Sequence, residues 1–202
     1  MEKLTEKTFP RYCDSMDDSR LLWTEKSRRK LLETPIFDVN SIERESTDGR
    51  KGTFVEIATP QWINVIPVFT GTDGKRYFVM ERQFRHGSQT VTLEFPAGLV
   101  EDGEDPKEAA LRELLEETGI KAGKLTQTGL LNPNSAFMCT KGYFFVAEDL
   151  EYTGERHFDA NEEIEAVTIS EAEVFERMGK GEMDNGIMVV SAFLYLKYRG
   201  EI

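Results

Sequence analysis

Cysteine is nearly absent from this chain. Of 202 residues only Cys13 and Cys139 are cysteines, far apart and outside any CxxC or Cys/His spacing. That argues against a disulfide framework and against a thiolate metal site, and it suits a reduced, cytoplasmic setting. Histidine is as scarce, and His86 and His157 show no ligand spacing. Long hydrophobic runs are missing: no stretch approaches the ~20 apolar residues of a membrane span. The opening MEKLTEKTFPR carries charges every few residues and no apolar core, so neither a signal peptide nor an anchor is expected. Basic charge is in deficit, with 25 Lys and Arg against 37 Asp and Glu for a net charge of -12. A long nucleic acid or an anionic membrane surface would therefore be repelled. Repeats and low-complexity tracts are lacking too, which excludes a solenoid. What remains is one domain of ordinary size, or one carrying a small extra layer, long enough to bury a core.

The positive signals begin near Ile36. IFDVNSIERES and KGTFVEIATP read as two strands around the turn Thr47-Asp48-Gly49-Arg50, and WINVIPVFT and RYFVMERQFR as two more around GTDGK. Before them SRRKLLE fits either a short helix or the lead into a strand. VTLEFPAG is a further strand that stops at Pro96, and KLTQTGLLN, KGYFFVAEDLEY and IEAVTIS complete the set. SEAEVFERMGKG and NGIMVVSAFLYLKYRG have helical spacing, with Ser170 placed to cap the first. The expected class is α+β, with helices packed on a mixed or antiparallel sheet.

Between these strands lies GLVEDGEDPKEAALRELLEETGI, residues 98 to 120, with eight carboxylates, two cations and three glycines. Asp105 is placed as an N-cap, Pro106 as the first helical residue and Gly119 as a left-handed stop, which brackets a helix of about three turns. On that helix Ala109, Ala110, Leu111, Leu114 and Leu115 supply packing. Glu113 and Glu117, four apart, stack on one face with Glu116 beside them. Like charges so spaced repel, and Arg112 with Lys107 is too little cation to neutralise them. A hard divalent cation such as Mg²⁺ or Mn²⁺, which prefers oxygen ligands and bridges carboxylates to phosphates, is one reason to cluster them. A plain solvated acidic face is the other, and spacing alone does not choose.

The choice comes from the wider pattern. Gly98, Glu104, Arg112, Glu113, Leu114, Glu116, Glu117, Gly119 and Ile120 occupy the fixed positions of G-x5-E-x7-R-E-U-x-E-E-x-G-U, U being apolar. The segment thus resembles the Nudix hydrolases. The resemblance implies an α/β/α sandwich with a mixed sheet and divalent-metal-assisted hydrolysis of a nucleoside diphosphate linked to another group. It also implies that Glu113, Glu117 and Glu116 are metal ligands together with the Ala97 carbonyl, and that Glu104 and Arg112 pair to hold loop against helix. From the residues alone Arg112 reads equally as an i+4 partner of Glu116 or of Glu108.

From about Ile36 to Tyr198 the chain is similar to the ADP-ribose and nucleoside diphosphosugar pyrophosphatases, through GRKGTFVEI, ERQFR, LEFPAG, LNPNSAFMCTKGYFFVAEDLE, NEEIEAVTIS and GEMDNGIMVVSAFLYL. That group is typically homodimeric, with an N-terminal β layer completing the neighbour's site. The implied division is residues 1–58, an extension and antiparallel β layer centred on 36 to 58, then a hydrolase domain at 59–202. Arg85 and Arg50 are implied as diphosphate-holding cations, since a guanidinium fork is bidentate, and Glu94 as facing the metal cluster or holding Arg85. The proton-abstracting group is expected in the loop DANEE, with Glu162 favoured over Glu163 and Asp159, and Glu117 is counted with the catalytic set. Trp62, Phe84 and Phe137 are available to stack a base, although aromatics in strand-like runs usually belong to a core. PNSAFM departs from the Pro-Gly pair of many ADP-ribose enzymes and reads as a different sugar preference. An RNA-cap or 5′-triphosphate pyrophosphohydrolase and a non-catalytic ADP-ribose sensor are the alternatives. The charge argues against the first and the intact box against the second.

Overall fold

A computed structural model describes residues 17–154 and 163–202. Backbone contacts divide the chain after Ala58, into Met1–Ala58 and Thr59–Ile202. The first unit is an antiparallel three-stranded sheet in the order β1 (Trp23–Glu33), β2 (Asp38–Ser46), β3 (Lys51–Ala58). Its β2–β3 turn is closed by Gly49 at φ 85°, a left-handed conformation that side chains disfavour. SRRKLLE is therefore strand, not helix. Two register irregularities, between Glu25 and Ser27 and between Lys30 and Leu32, break the alternation that would have announced it.

The second unit carries β4 (Trp62–Thr70), β5 (Arg76–Arg85), β6 (Thr90–Glu94), β7 (Ala97–Leu99), α1 (Pro106–Thr118), β8 (Ile120–Leu131), β9 (Gly142–Tyr152), β10 (Glu165–Ser170), α2 (Glu171–Arg177) and α3 (Gly186–Arg199). Its sheet runs β10-β5-β4-β9-β8, with β6 added to β5 and β7 to β4. The β4–β9 pair is parallel and the others are antiparallel, so the sheet is mixed. Side chains alternate across a strand. On β4, Ile63 and Val65 pack with Ala109, Ala110 and Leu114 of α1, while Ile66 and Val68 pack with Val174 of α2 and Met188 and Tyr195 of α3. Two apolar cores, one on each face, make this the α/β/α sandwich of an α+β chain. Ser170 caps α2 by accepting from the Glu173 N–H.

Candidate active site

The acidic segment folds around α1 as its local chemistry dictates. The Asp105 carboxylate accepts the Lys107 N–H at 2.7 Å, Pro106 opens the helix, and Gly119 closes it at φ 72° with its N–H on the Leu115 carbonyl. Burial of Ala109, Ala110 and Leu114 fixes the rotation of the helix, leaving Arg112, Glu113 and Glu116 on the flank toward β7 and the loop after it.

Arg112 organises that flank. Nε and Nη2 grip the two Glu104 oxygens at 2.9 Å each, a fork-on-fork ion pair, and Nη2 also donates to the Leu99 carbonyl at 3.0 Å. Nη1 donates to Glu113 Oε1 at 2.8 Å and to Glu116 Oε2 at 3.1 Å. Of the partners open on sequence, Glu104 and Glu116 are both made and Glu108 is not among them. The hydrogen bond from Arg112 holds the Glu104 carboxyl below its usual range, outweighing the effect of burial. Glu117 is buried, at 6 % exposure.

Gly98 explains how the helix meets the strand. A methyl group built there would overlap the Glu113 carboxylate, so glycine leaves a notch in β7 that this carboxylate fills. Among the described residues no three Asp, Glu, His or Cys side chains already close on one point, and Glu113 and Glu116 both turn to Arg112 instead. The donor set is nonetheless all oxygen and mostly anionic, and one carboxylate is seated against the backbone next to Ala97. That chemistry fits a hard divalent cation and does not fit a soft one.

Arg85 and Glu94 are brought together. Arg85 Nη2 donates to Glu94 Oε2 at 2.8 Å and Nε to Oε1 at 3.3 Å. The Glu94 side chain is 2 % exposed and that of Arg85 is 41 % exposed, so the guanidinium is held from beneath and open above. Burial pushes the Glu94 carboxyl up, but the Arg85 hydrogen bond and charge outweigh it, and the net direction is down. Across the β5–β6 ladder Glu94 stands opposite Glu81, which is fully buried. Sequence reading passed over Glu81. The available signal was a carboxylate next to the apolar run Phe78-Val79-Met80 of β5 and in phase with Val79.

The other candidates lie on separate elements. Arg50 lies in the β2–β3 turn of the first unit, paired with Asp48 at 2.9 Å and set over the Trp23 ring at 5.4 Å from its centroid. Phe84 and Phe137 are exposed and are not core, whereas Trp62 is half-buried and edge-on to Phe144. Phe84 makes an edge contact with His86 at 5.3 Å. Glu163 is exposed. Glu162 and Asp159, like His157, lie outside the described residues.

Comparison with known proteins adds the context. The NUDIX domain family matches residues 60–187. The ADP-ribose pyrophosphatase of Bacillus subtilis is 30% identical over 145 residues, spanning 71% of this chain and 76% of the relative. The mouse ADP-sugar pyrophosphatase is 51% identical over 59 residues, 29% of this chain and 27% of its own length. A crystal structure of an ADP compounds hydrolase superposes with a TM-score of 0.75 at 24% identity, covering 89% of this chain and 97% of the other, a likeness of fold. Among the described residues no helix is long and apolar enough to cross a membrane.

Proposed function

The chain belongs to the NUDIX domain family and is a divalent-metal-dependent hydrolase of phosphoric anhydrides, and from that premise we propose how its residues divide the work on ADP-ribose or a closely related nucleoside diphosphosugar. The observation that carries the reading is the arrangement around Arg112: one guanidinium fastens the loop through Glu104 and aligns Glu113 and Glu116 beside the notch at Gly98. A merely solvated acidic face has no need of such a scaffold.

Glu113, Glu116, Glu117 and the Ala97 carbonyl hold the metal, for which Mg²⁺ is our choice and Mn²⁺ the natural substitute. When bound, the ion neutralises phosphate oxygens and lowers the pKa of water. Arg85 holds the diphosphate with the exposed side of its fork, and Glu94 fixes the fork's direction beforehand, so little ordering is left for binding. Arg50 is a second clamp and Phe84 a stacking surface for the nucleoside. A carboxylate of the DANEE loop, Glu162 or Glu163, takes the proton as a water oxygen adds to one phosphorus. The anhydride P–O bond breaks, and the bridging oxygen leaves on the other phosphate. The products are a nucleoside monophosphate and a sugar phosphate.

Purified protein with Mg²⁺ is expected to release phosphomonoester from ADP-ribose, or from ADP-glucose or another diphosphosugar in the same panel. Arg85→Ala, run beside it, should lose about 10- to 100-fold in kcat/KM, the worth of one charged hydrogen-bonding partner. No product from any diphosphosugar would overturn the substrate class, and an unchanged KM and kcat would remove Arg85 from the site.

Two copies of the chain associate through the N-terminal sheet in this reading, and the enzyme works in the cytoplasm. What supports association is β1, eleven residues of which only Trp23 is even half-buried, with Leu31, Leu32, Phe54 and Val55 of the same sheet also exposed. Among the described residues no strand pairs with the outer edge of β1, and such an edge with apolar side chains seeks a partner. Light scattering should give twice the 23.1 kDa chain mass, and Leu32→Glu should shift it toward one. A monomeric wild type at micromolar concentration would refute the association.

A further inference from the structure

We infer that Asn64 is a positioning residue for the metal site, acting from the far side of the sheet through the backbone of residues 95 to 97. On β4 the alternation places Asn64 on the same face as Ile66 and Val68, in the core built with α3, and there it is completely buried. An amide in such a place is costly unless bonded, and an aliphatic residue would pack there more cheaply. This one is bonded at both ends. Oδ1 accepts from Ser191 Oγ of α3 at 2.6 Å, and Nδ2 lies 3.3 Å from each of the Phe95 and Pro96 carbonyls.

The location gives the bonds a purpose. At Pro96 the chain leaves β5, to which β6 is paired, and joins β4 as β7, with Asn64 in register opposite Ala97. Pro96 has no N–H for either ladder. Its carbonyl is held by the Val65 N–H at 2.9 Å as well as by Asn64, and the Phe95 N–H is directed at Met188 Sδ at 2.9 Å. Met188, which receives the Phe95 N–H, and Ser191, which acts through Asn64, lie one turn apart on α3 and thus fasten the chain leading into Ala97. Because the 96–97 peptide is planar, fixing the Pro96 carbonyl places the Ala97 nitrogen and Cα, and the pairing of Gly98 with Ile63 anchors the residue after it, so the Ala97 carbonyl is carried between two fastened points. The clamp therefore helps to position a backbone ligand from the opposite face of the sheet. The inference rests on the proposed role of that carbonyl.

Mn²⁺ binding to the full-length protein without substrate, followed by the electron spin resonance of free Mn²⁺, tests it. Wild type and four variants are compared: Asn64→Leu, Ser191→Ala, Val174→Ala and Glu117→Gln. Asn64→Leu is expected to weaken Mn²⁺ binding by about 10-fold, the lower end of what losing an outer partner of a metal ligand costs. Ser191→Ala should move it the same way by less, and is the informative variant if Asn64→Leu does not fold. Val174→Ala, a deletion in the same core away from the clamp, should lower Tm and leave Mn²⁺ affinity alone. Glu117→Gln should lose the site. If Asn64→Leu and Ser191→Ala retain wild-type affinity while Glu117→Gln does not, Asn64 is only structural and the inference falls. If Glu117→Gln also binds as wild type, the metal site itself has been misplaced and both readings fall.

Discussion

Glu117→Gln is expected to lower kcat by about 10³-fold or more with the fold intact, exceeding the loss from one oxyanion donor because a ligand and a charge go together. Glu117 is four residues from Glu113 on α1, and its side chain is almost wholly shielded from water. Carboxylates so placed repel, and each resists being taken out of water. The amide of glutamine has the same shape without the charge. In a chelator the variant should therefore melt at or above the wild type, by about 1–4 °C on the usual scaling for a domain of this size. The two readouts move in opposite directions, which a generic packing defect cannot do. Turnover and melting temperature measured on the same preparations decide it: full activity removes Glu117 from the site, and a lower Tm in chelator shows that the carboxylate is there for structure.

How far this site was legible before any coordinates depends on how local each signal is. The bracket of α1 was readable because capping is decided within a turn: Asp105, Pro106 and Gly119 each act on their own neighbourhood, and the structure uses all three as expected. The hairpins around Gly49 and Gly74 are local in the same sense. β1 was not legible, since its two register irregularities move side chains from face to face within one strand and erase the period of two. The partners of Arg112 were legible by two different routes, the resemblance for Glu104 and helical spacing for Glu116. Spacing alone reaches only Glu116 and Glu108, whereas Glu104 lies beyond the helix start and is brought to Arg112 by the loop's return past Leu99. Glu81 and Asn64 could not be assigned at all. Each is a polar residue beside apolar strand neighbours, and only knowing what it faces, Glu94 on the adjoining strand for one and Ser191 on α3 for the other, gives it a meaning. The DANEE candidates stay as sequence proposals, with Glu162 outside the described residues.

Two glycines, Gly98 in β7 and Gly103 in the loop after it, separate catalysis from stability. Gly98 has no left-handed backbone to defend, so alanine is conformationally acceptable there. The three atoms nearest the added methyl group all belong to the Glu113 carboxylate, the far end of a flexible side chain. Gly98→Ala should consequently fold, with a stability change within about 1 kcal/mol, while the displaced carboxylate takes kcat down to the level of Glu113→Gln. Gly103 is the reverse case: at φ 85° alanine is strained, yet nothing lies within 4 Å of the new methyl group. Gly103→Ala should destabilise by about 1 kcal/mol, the ordinary cost of a side chain in that region of backbone space, and turn over near the wild-type rate at temperatures where it is folded. The double variant Gly98→Ala/Glu113→Gln makes the assignment specific. If the glycine acts only by making room for that carboxylate, the second substitution adds no loss to the first, and the coupling nearly cancels one full single-variant effect. Losses that multiply would mean Gly98 serves the reaction by another route, and a fully active Gly98→Ala would mean that the seat beside Ala97 is not where Glu113 works.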